Sequence, residues 1–106
     1  MTRVFKALAD PTRRRVLELL QRRPMGAGEL ADEFDVAKPT MSAHFAVLLA
    51  ADLIEADKAG RSITYRLKMS VLEEALLAFA QTVGLRLQVS EGKPTPARAR
   101  ARRQTS

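Results

Sequence analysis

The sequence predicts a mainly α-helical domain with one β-hairpin, in the order helix, helix, helix, helix, hairpin, helix. Three observations carry that prediction. Apolar residues recur at helical spacing as far as about residue 50, Pro11 and Pro39 stand where two of those helices should open, and past Asp52 the apolar period falls from 3.6 residues toward 2.

Val4, Phe5 and Leu8 form the apolar stripe of a short first helix over residues 1–9. Asp10-Pro11 then reads as a capping carboxylate before a proline suited to the first helical position. Val16, Leu17, Leu19 and Leu20 follow as the buried face, and Pro24 should stop this second helix near Arg23. Arg13 shares the apolar face with Leu17 and Leu20, which marks it as a structural arginine paired with a buried or interfacial acid. A third helix is expected from Ala27 to Phe34, with Leu30, Ala31 and Phe34 inward and Glu29, Asp32 and Glu33 outward. After Asp35-Val36-Ala37, Pro39 opens a fourth helix whose Met41, Phe45 and Leu48 share one side. Its other side is unusual: Thr40, Ser42, Ala43, Ala46 and Val47 stand where a solvated helix ordinarily carries long charged residues.

The hairpin runs from Ile54 through a turn at Ala59-Gly60 to Leu67, with Ile63, Tyr65 and Leu67 on one face and Ser62, Thr64 and Arg66 on the other. Ser70 and Glu73 have the spacing of a capping box for the last helix, which is expected to reach about Val89. Leu72, Leu76, Phe79 and Val83 recur along it at i, i+4, i+7 and i+11, a seam suited to a partner helix. Val71, Leu72, Ala75, Leu76, Leu77, Phe79, Ala80 and Val83 together give this helix more apolar surface than one small domain covers. Residues 1–89 thus form one domain, and residues 90–106 read as a flexible basic tail.

Composition narrows the function. A chain of 106 residues with 46% hydrophobic and 28% charged residues has room for one modest core, so a second copy is a natural source of further burial. No run of 18 apolar residues and no tripartite leader occurs, which points to a cytoplasmic protein without a membrane partner. With no cysteine and only His44 as histidine, thiolate metal sites, disulfides and cysteine nucleophiles are excluded. No Gly-rich phosphate loop or serine-nucleophile context is present either, so neither an enzyme nor a cofactor is expected. The net charge of +6 divides unevenly: residues 90–106 carry five basic residues against Glu91, and residues 1–89 carry 13 basic against 11 acidic. Any nucleic-acid surface in the body must therefore arise from clustering.

Two short helices joined by a three-residue turn, followed by a hairpin, have the grammar of a winged helix-turn-helix. In that arrangement Lys38, Pro39, Thr40, Ser42 and Ala43 occupy the start of the helix that enters the major groove, and its small outer face permits close approach to thymine methyls. Lys58 and Arg61 flank the hairpin tip, and Arg66 lies on its polar face, within reach of phosphates. His44 borders the apolar face, where a satisfied structural histidine is the ordinary reading. The same exposed surface also fits a protein-interaction module, the alternative function.

Four segments in order resemble the ArsR/SmtB winged-helix repressors, most closely the SdpR-like autorepressor branch. They are Leu8 to Leu20 (LADPTRRRVLELL), Glu29-Leu30-Ala31, Lys38 to Leu48 (KPTMSAHFAVL) and Gly60 to Leu67 (GRSITYRL), within a match over roughly residues 3–85. The resemblance implies a homodimer built from the first and last helices, with Phe5, Leu8, Leu72, Leu76, Phe79 and Val83 at the interface. It also implies binding to an inverted-repeat operator in double-stranded DNA, in the gene's own promoter, and places His44 near DNA. The chain departs from the family's metal sensors: neither residues 27–34 nor residues 71–81 hold a cysteine or histidine, and Glu73 and Glu74 read as solvated carboxylates.

Overall fold

The computed structural model describes residues 1–86. Helix α1 (Thr2–Leu8) buries Val4 and Ala7 and leads into α2 (Pro11–Arg22), which buries Val16, Leu17, Leu19 and Leu20. Asp10 caps α2 as its sequence position predicts, with its carboxylate accepting from the Arg13 amide at 3.1 Å. The helix stops where Arg23 turns extended before Pro24, also as expected.

A two-residue strand, β1 (Met25–Gly26), follows, which no local pattern predicts. It is too short for an alternating pattern and exists because β3 lies beside it. Helix α3 (Ala27–Ala31) is shorter than expected. Its continuation toward Phe34 tightens into i→i+3 bonds, Glu33 to Leu30 and Phe34 to Ala31. Helix α4 (Lys38–Ala50) sends Met41, Phe45 and Leu48 into the core. Just past its C-cap, Ala51, stands Asp52, a non-glycine residue at φ 60°, whose side chain accepts from Lys68 Nζ at 2.9 Å.

Strands β2 (Ile54–Ala59) and β3 (Ser62–Leu67) pair antiparallel, and β1 joins the other edge of β3 to give the order β1-β3-β2. The turn is Gly60-Arg61, one residue later than expected, since Ala59 pairs with Ser62 and Gly60 takes the left-handed φ of 61°. That shift sets Glu55 opposite Arg66.

Helix α5 (Met69–Val83) differs from expectation at both ends. Its N-cap is Lys68, so Ser70 lies inside the first turn and the Ser70/Glu73 capping box does not form. A bond from the Lys68 amide to the Leu53 carbonyl at 2.8 Å fixes where the chain turns from strand to helix. At the other end the helix stops at Val83, closed by Gly84 at φ 77°, short of the expected Val89, which lies outside the described residues. The Gly84 amide bonds to Gln81 and that of Leu85 to Ala80, the paired bonds of a Schellman motif.

One core joins these elements. Val16, Leu30, Met41, Leu48, Leu53 and Ile54 are fully buried, and the Phe45 and Tyr65 rings meet at 4.7 Å to bind α4 to the sheet. Among the described residues no helix is long and apolar enough to cross a membrane.

Because Leu48 is fully enclosed, Leu48→Ala should lower the unfolding free energy by about 2–5 kcal/mol. Gly84→Ala introduces only left-handed strain in open space and should cost about 1 kcal/mol. Urea unfolding at one fixed protein concentration compares them, and a smaller loss at Leu48 than at Gly84 contradicts the packing described.

Candidate nucleic-acid interface

The first half of α4 is largely open. Lys38, Pro39, Thr40, Ser42, Ala43 and Ala46 are exposed, while Val47, expected beside them, is half-buried and packs on the core. No side chain caps the first turn of α4; Ala37 holds the N-cap position. Pro39 has no amide hydrogen and the Met41 amide bonds to the Ala37 carbonyl, so the Lys38 and Thr40 amides are the first-turn donors left at the positive end of the helix dipole. Small side chains and free donors on one surface let a backbone approach a flat or anionic partner closely. A cleft of about 340 Å³ separates this half of α4 from the sheet, with Ala27, Lys38, Ser42, Ile63 and Tyr65 on its walls.

His44 stands apart from the exposed set. Its side chain is only 15% exposed, and Nδ1 points to the α1–α2 junction, 3.2 Å from a terminal nitrogen of Arg13 and 3.9 Å from Asp10 Oδ2. A guanidinium only donates, so Nδ1 accepts and the neutral ring carries its proton on Nε2. Arg13 is structural, as its face predicts, but its partners differ. Rather than a carboxylate, it takes the Ala7 carbonyl at 2.8 Å, the Lys6 carbonyl at 3.2 Å and the His44 ring. Arg14 takes the Leu8 carbonyl at 2.7 Å, so two arginines close the C-terminal turn of α1.

On the hairpin, Lys58 and Arg61 are exposed at or beside the tip. Arg66 is differently placed: its guanidinium lies 3.9 Å from Glu55 and 3.7 Å from Asp57 on β2, so a phosphate must compete with two carboxylates for it. The outward acids of α3 are partly occupied too, since Glu29 pairs with Arg23 and reaches back to the Gly26 amide. The hydrogen bond from Arg23 holds the Glu29 carboxyl below its usual range.

A second surface is apolar. Helix α5 buries Ala75 and Ala80 and leaves Leu76, Leu77, Phe79 and Val83 between 38% and 53% exposed. Phe5 of α1 meets Phe79 edge-on at 5.2 Å, and Leu8 and Leu72 are half-buried. The exposed Leu77 and Leu85 extend this surface beyond the predicted seam.

A helix-turn-helix whose second helix is open at its N-terminus, with a basic-tipped hairpin beside it, defines a winged-helix DNA-binding module. Comparison with known proteins agrees. A helix-turn-helix domain model matches residues 8–56. The transcriptional repressor SdpR of Bacillus subtilis is 41% identical over 76 residues, which span 72% of this chain and 84% of that protein. The crystal structure of an ArsR family transcriptional regulator superimposes with a TM-score of 0.69 at 39% identity, covering 78% of this chain and 88% of the other. An ArsR-like regulator from Rhodococcus sp. RHA1 gives 0.71 at 31%, covering 78% and 76%. The chain belongs to the ArsR family of winged helix-turn-helix transcription regulators, and the family consists of DNA-binding regulators rather than enzymes. Among the described residues no group of three or more histidines, cysteines or carboxylates is gathered as for a metal ion.

The Asp10 carboxyl is held below its ordinary value, chiefly by the hydrogen bond from the Arg13 amide. A depressed folded pKa gives stability that is present above the unfolded value, near ~3.9, and is lost as pH falls through the folded one. Melting temperature should therefore decline on acidification below about pH 4, and Asp10→Asn should flatten part of that decline. An unchanged acid limb in the variant contradicts the capping role.

Proposed function

We propose that the protein is a repressor that binds an inverted-repeat operator, in its own promoter, as a homodimer and without a metal. The observation that carries this reading is the exposed first half of α4, where Lys38, Thr40, Ser42 and Ala43 surround an uncapped helix start. In the major groove, Ser42 and Thr40 hydroxyls bond to bases or phosphate, Ala43 lies against a thymine methyl, and the Thr40 amide meets a phosphate. Lys58 and Arg61 bring the wing tip to the backbone. Arg66 contributes less, because Glu55 and Asp57 already answer its charge. Residues 90–106, outside the described residues, add sequence-independent attraction through their basic side chains.

The dimer reading is supported by the inverted amphipathicity of α5. A helix that exposes Leu76, Phe79 and Val83 while burying alanines needs a cover, and a two-fold partner presenting the same face with Phe5 supplies one. Two recognition helices then lie about one helical turn apart on one side of DNA. Metal-free action is supported by the lack of cysteine and by the single histidine being engaged with Arg13. The relative named SdpR is a transcriptional repressor, which supports the direction of regulation.

Two outcomes test this reading. On a duplex selected from a random pool, affinity should fall steeply with salt. Lys58→Ala and Arg61→Ala should each reduce the log–log slope by about 2, one unit from each protomer of the bound dimer, and Arg66→Ala by clearly less. A salt-independent affinity contradicts DNA binding, and a loss at Arg66 as large as that at Lys58 or Arg61 contradicts its pairing. Phe79→Asp sets an unpaired charge in the apolar seam at a cost of several kcal/mol. Ultracentrifugation should show a monomer, with binding to the full duplex lost, whereas a folded monomer that binds with wild-type affinity contradicts the dimer.

A further inference from the structure

One side chain links the apolar face to the recognition helix. Arg13 donates to the Lys6 and Ala7 carbonyls at the end of α1 and, with its other terminal nitrogen, to His44 on α4. Helix α1 in turn meets α5 through Phe5 and Phe79. The hydrogen bonds to α1 are not redundant with those to α4: they leave from different atoms of one rigid planar group, so the fork fixes one helix against the other.

We propose that Arg13 is a positioning residue for DNA recognition. Through His44 it holds α4 at a set angle to α1, and protonation of His44 releases that hold. The proposal rests on the dimer reading above, in which α1 and α5 form the interface and the spacing of two α4 helices selects the operator.

The chemistry is asymmetric. Contact with a guanidinium requires the lone pair on Nδ1, and a protonated imidazole has none. Protonation also opposes two cations at 3.2 Å, while Asp10 Oδ2, at 3.9 Å and already accepting from the Arg13 amide, becomes the better partner for the ring. The ionised groups that reach the ring are thus Arg13 and Asp10, from α2 and its cap. On the other packed elements, α1 carries Arg3 and Lys6, both exposed, and β2 carries Glu55, which lies beside Arg66. His44 is the only histidine in the chain, so a pH dependence that His44→Asn abolishes is assigned to it. The sign separates two roles. A histidine that touches phosphate strengthens binding when protonated; one that anchors Arg13 weakens it.

The test compares a duplex selected by the wild-type protein from a random pool with the same duplex carrying one scrambled half, by fluorescence anisotropy at pH 8 and 5.5 and constant ionic strength. The wild-type preference for the intact duplex should fall about tenfold on acidification, the scale of losing a hydrogen bond to a charged group. His44→Asn places an unprotonatable oxygen where Nδ1 lies and should hold the preference at both pH values. At pH 8, His44→Ala and Arg13→Lys should lose about tenfold on the intact duplex and less than about twofold on the half-scrambled one. Circular dichroism and melting confirm folding; should Arg13→Lys not fold, the His44→Asn pH profile decides alone. Affinity that rises on acidification, a preference kept by His44→Ala, or equal losses on both duplexes overturns the proposal. A wild-type protein that binds both duplexes equally contradicts the dimer reading and removes this proposal with it.

Discussion

The junction between α1 and α2 governs how the rest of this small structure is arranged. Ala9 and Asp10 separate the two helices, and each helix leaves unbonded backbone groups there. Asp10 satisfies the Arg13 amide at the start of α2, while the Arg13 and Arg14 side chains satisfy three carbonyls at the end of α1. Because the residues that start one helix also finish the other, their relative direction is fixed locally. Val4 and Ala7 can then be buried on α2 and α4, and Phe5 is carried to the α5 face. His44 joins the same junction, which ties α4 to it.

The remaining architecture separates two surfaces that a soluble monomer would not need. Helix α4 faces outward with small residues, although long charged residues there would be better solvated and better helix formers. Helix α5 faces outward with leucines and phenylalanine. Each surface is a departure from ordinary amphipathicity, and the departures differ in kind: one favours close approach to a polar, grooved partner, the other favours apolar burial. The core between them is dense, with Leu30, Leu48 and Leu53 fully enclosed, so the two surfaces are held by a rigid body rather than by loops.

Much of this was legible in the sequence because the signals are local. The Asp10-Pro11 start, the stop before Pro24, the inward Met41, Phe45 and Leu48, and the hairpin period each depend on neighbours within one or two turns. What escaped depends on distant partners. Strand β1 is visible only once β3 lies beside it, and the start of α5 follows from the Lys68 bond to Leu53 rather than from Ser70. The turn falls one residue later than the sequence pattern indicates, and the Glu55–Arg66 pairing follows only from that register. Gly84 was a local signal for the end of α5 that the apolar pattern beyond it, at Leu85, Leu87 and Val89, obscured. The engagement of His44 was hidden because an arginine 31 residues away supplies the partner.

Hydroxyl-radical footprinting on a duplex selected by the protein tests most directly the claim that two copies of α4 read one face of DNA. Two protected backbone patches are expected, related by a dyad and centred about one helical turn or a whole multiple apart on the same face, with guanine N7 or thymine methyl modification interfering in the major groove of each half-site. A single protected patch, or two patches on opposite faces, would contradict it.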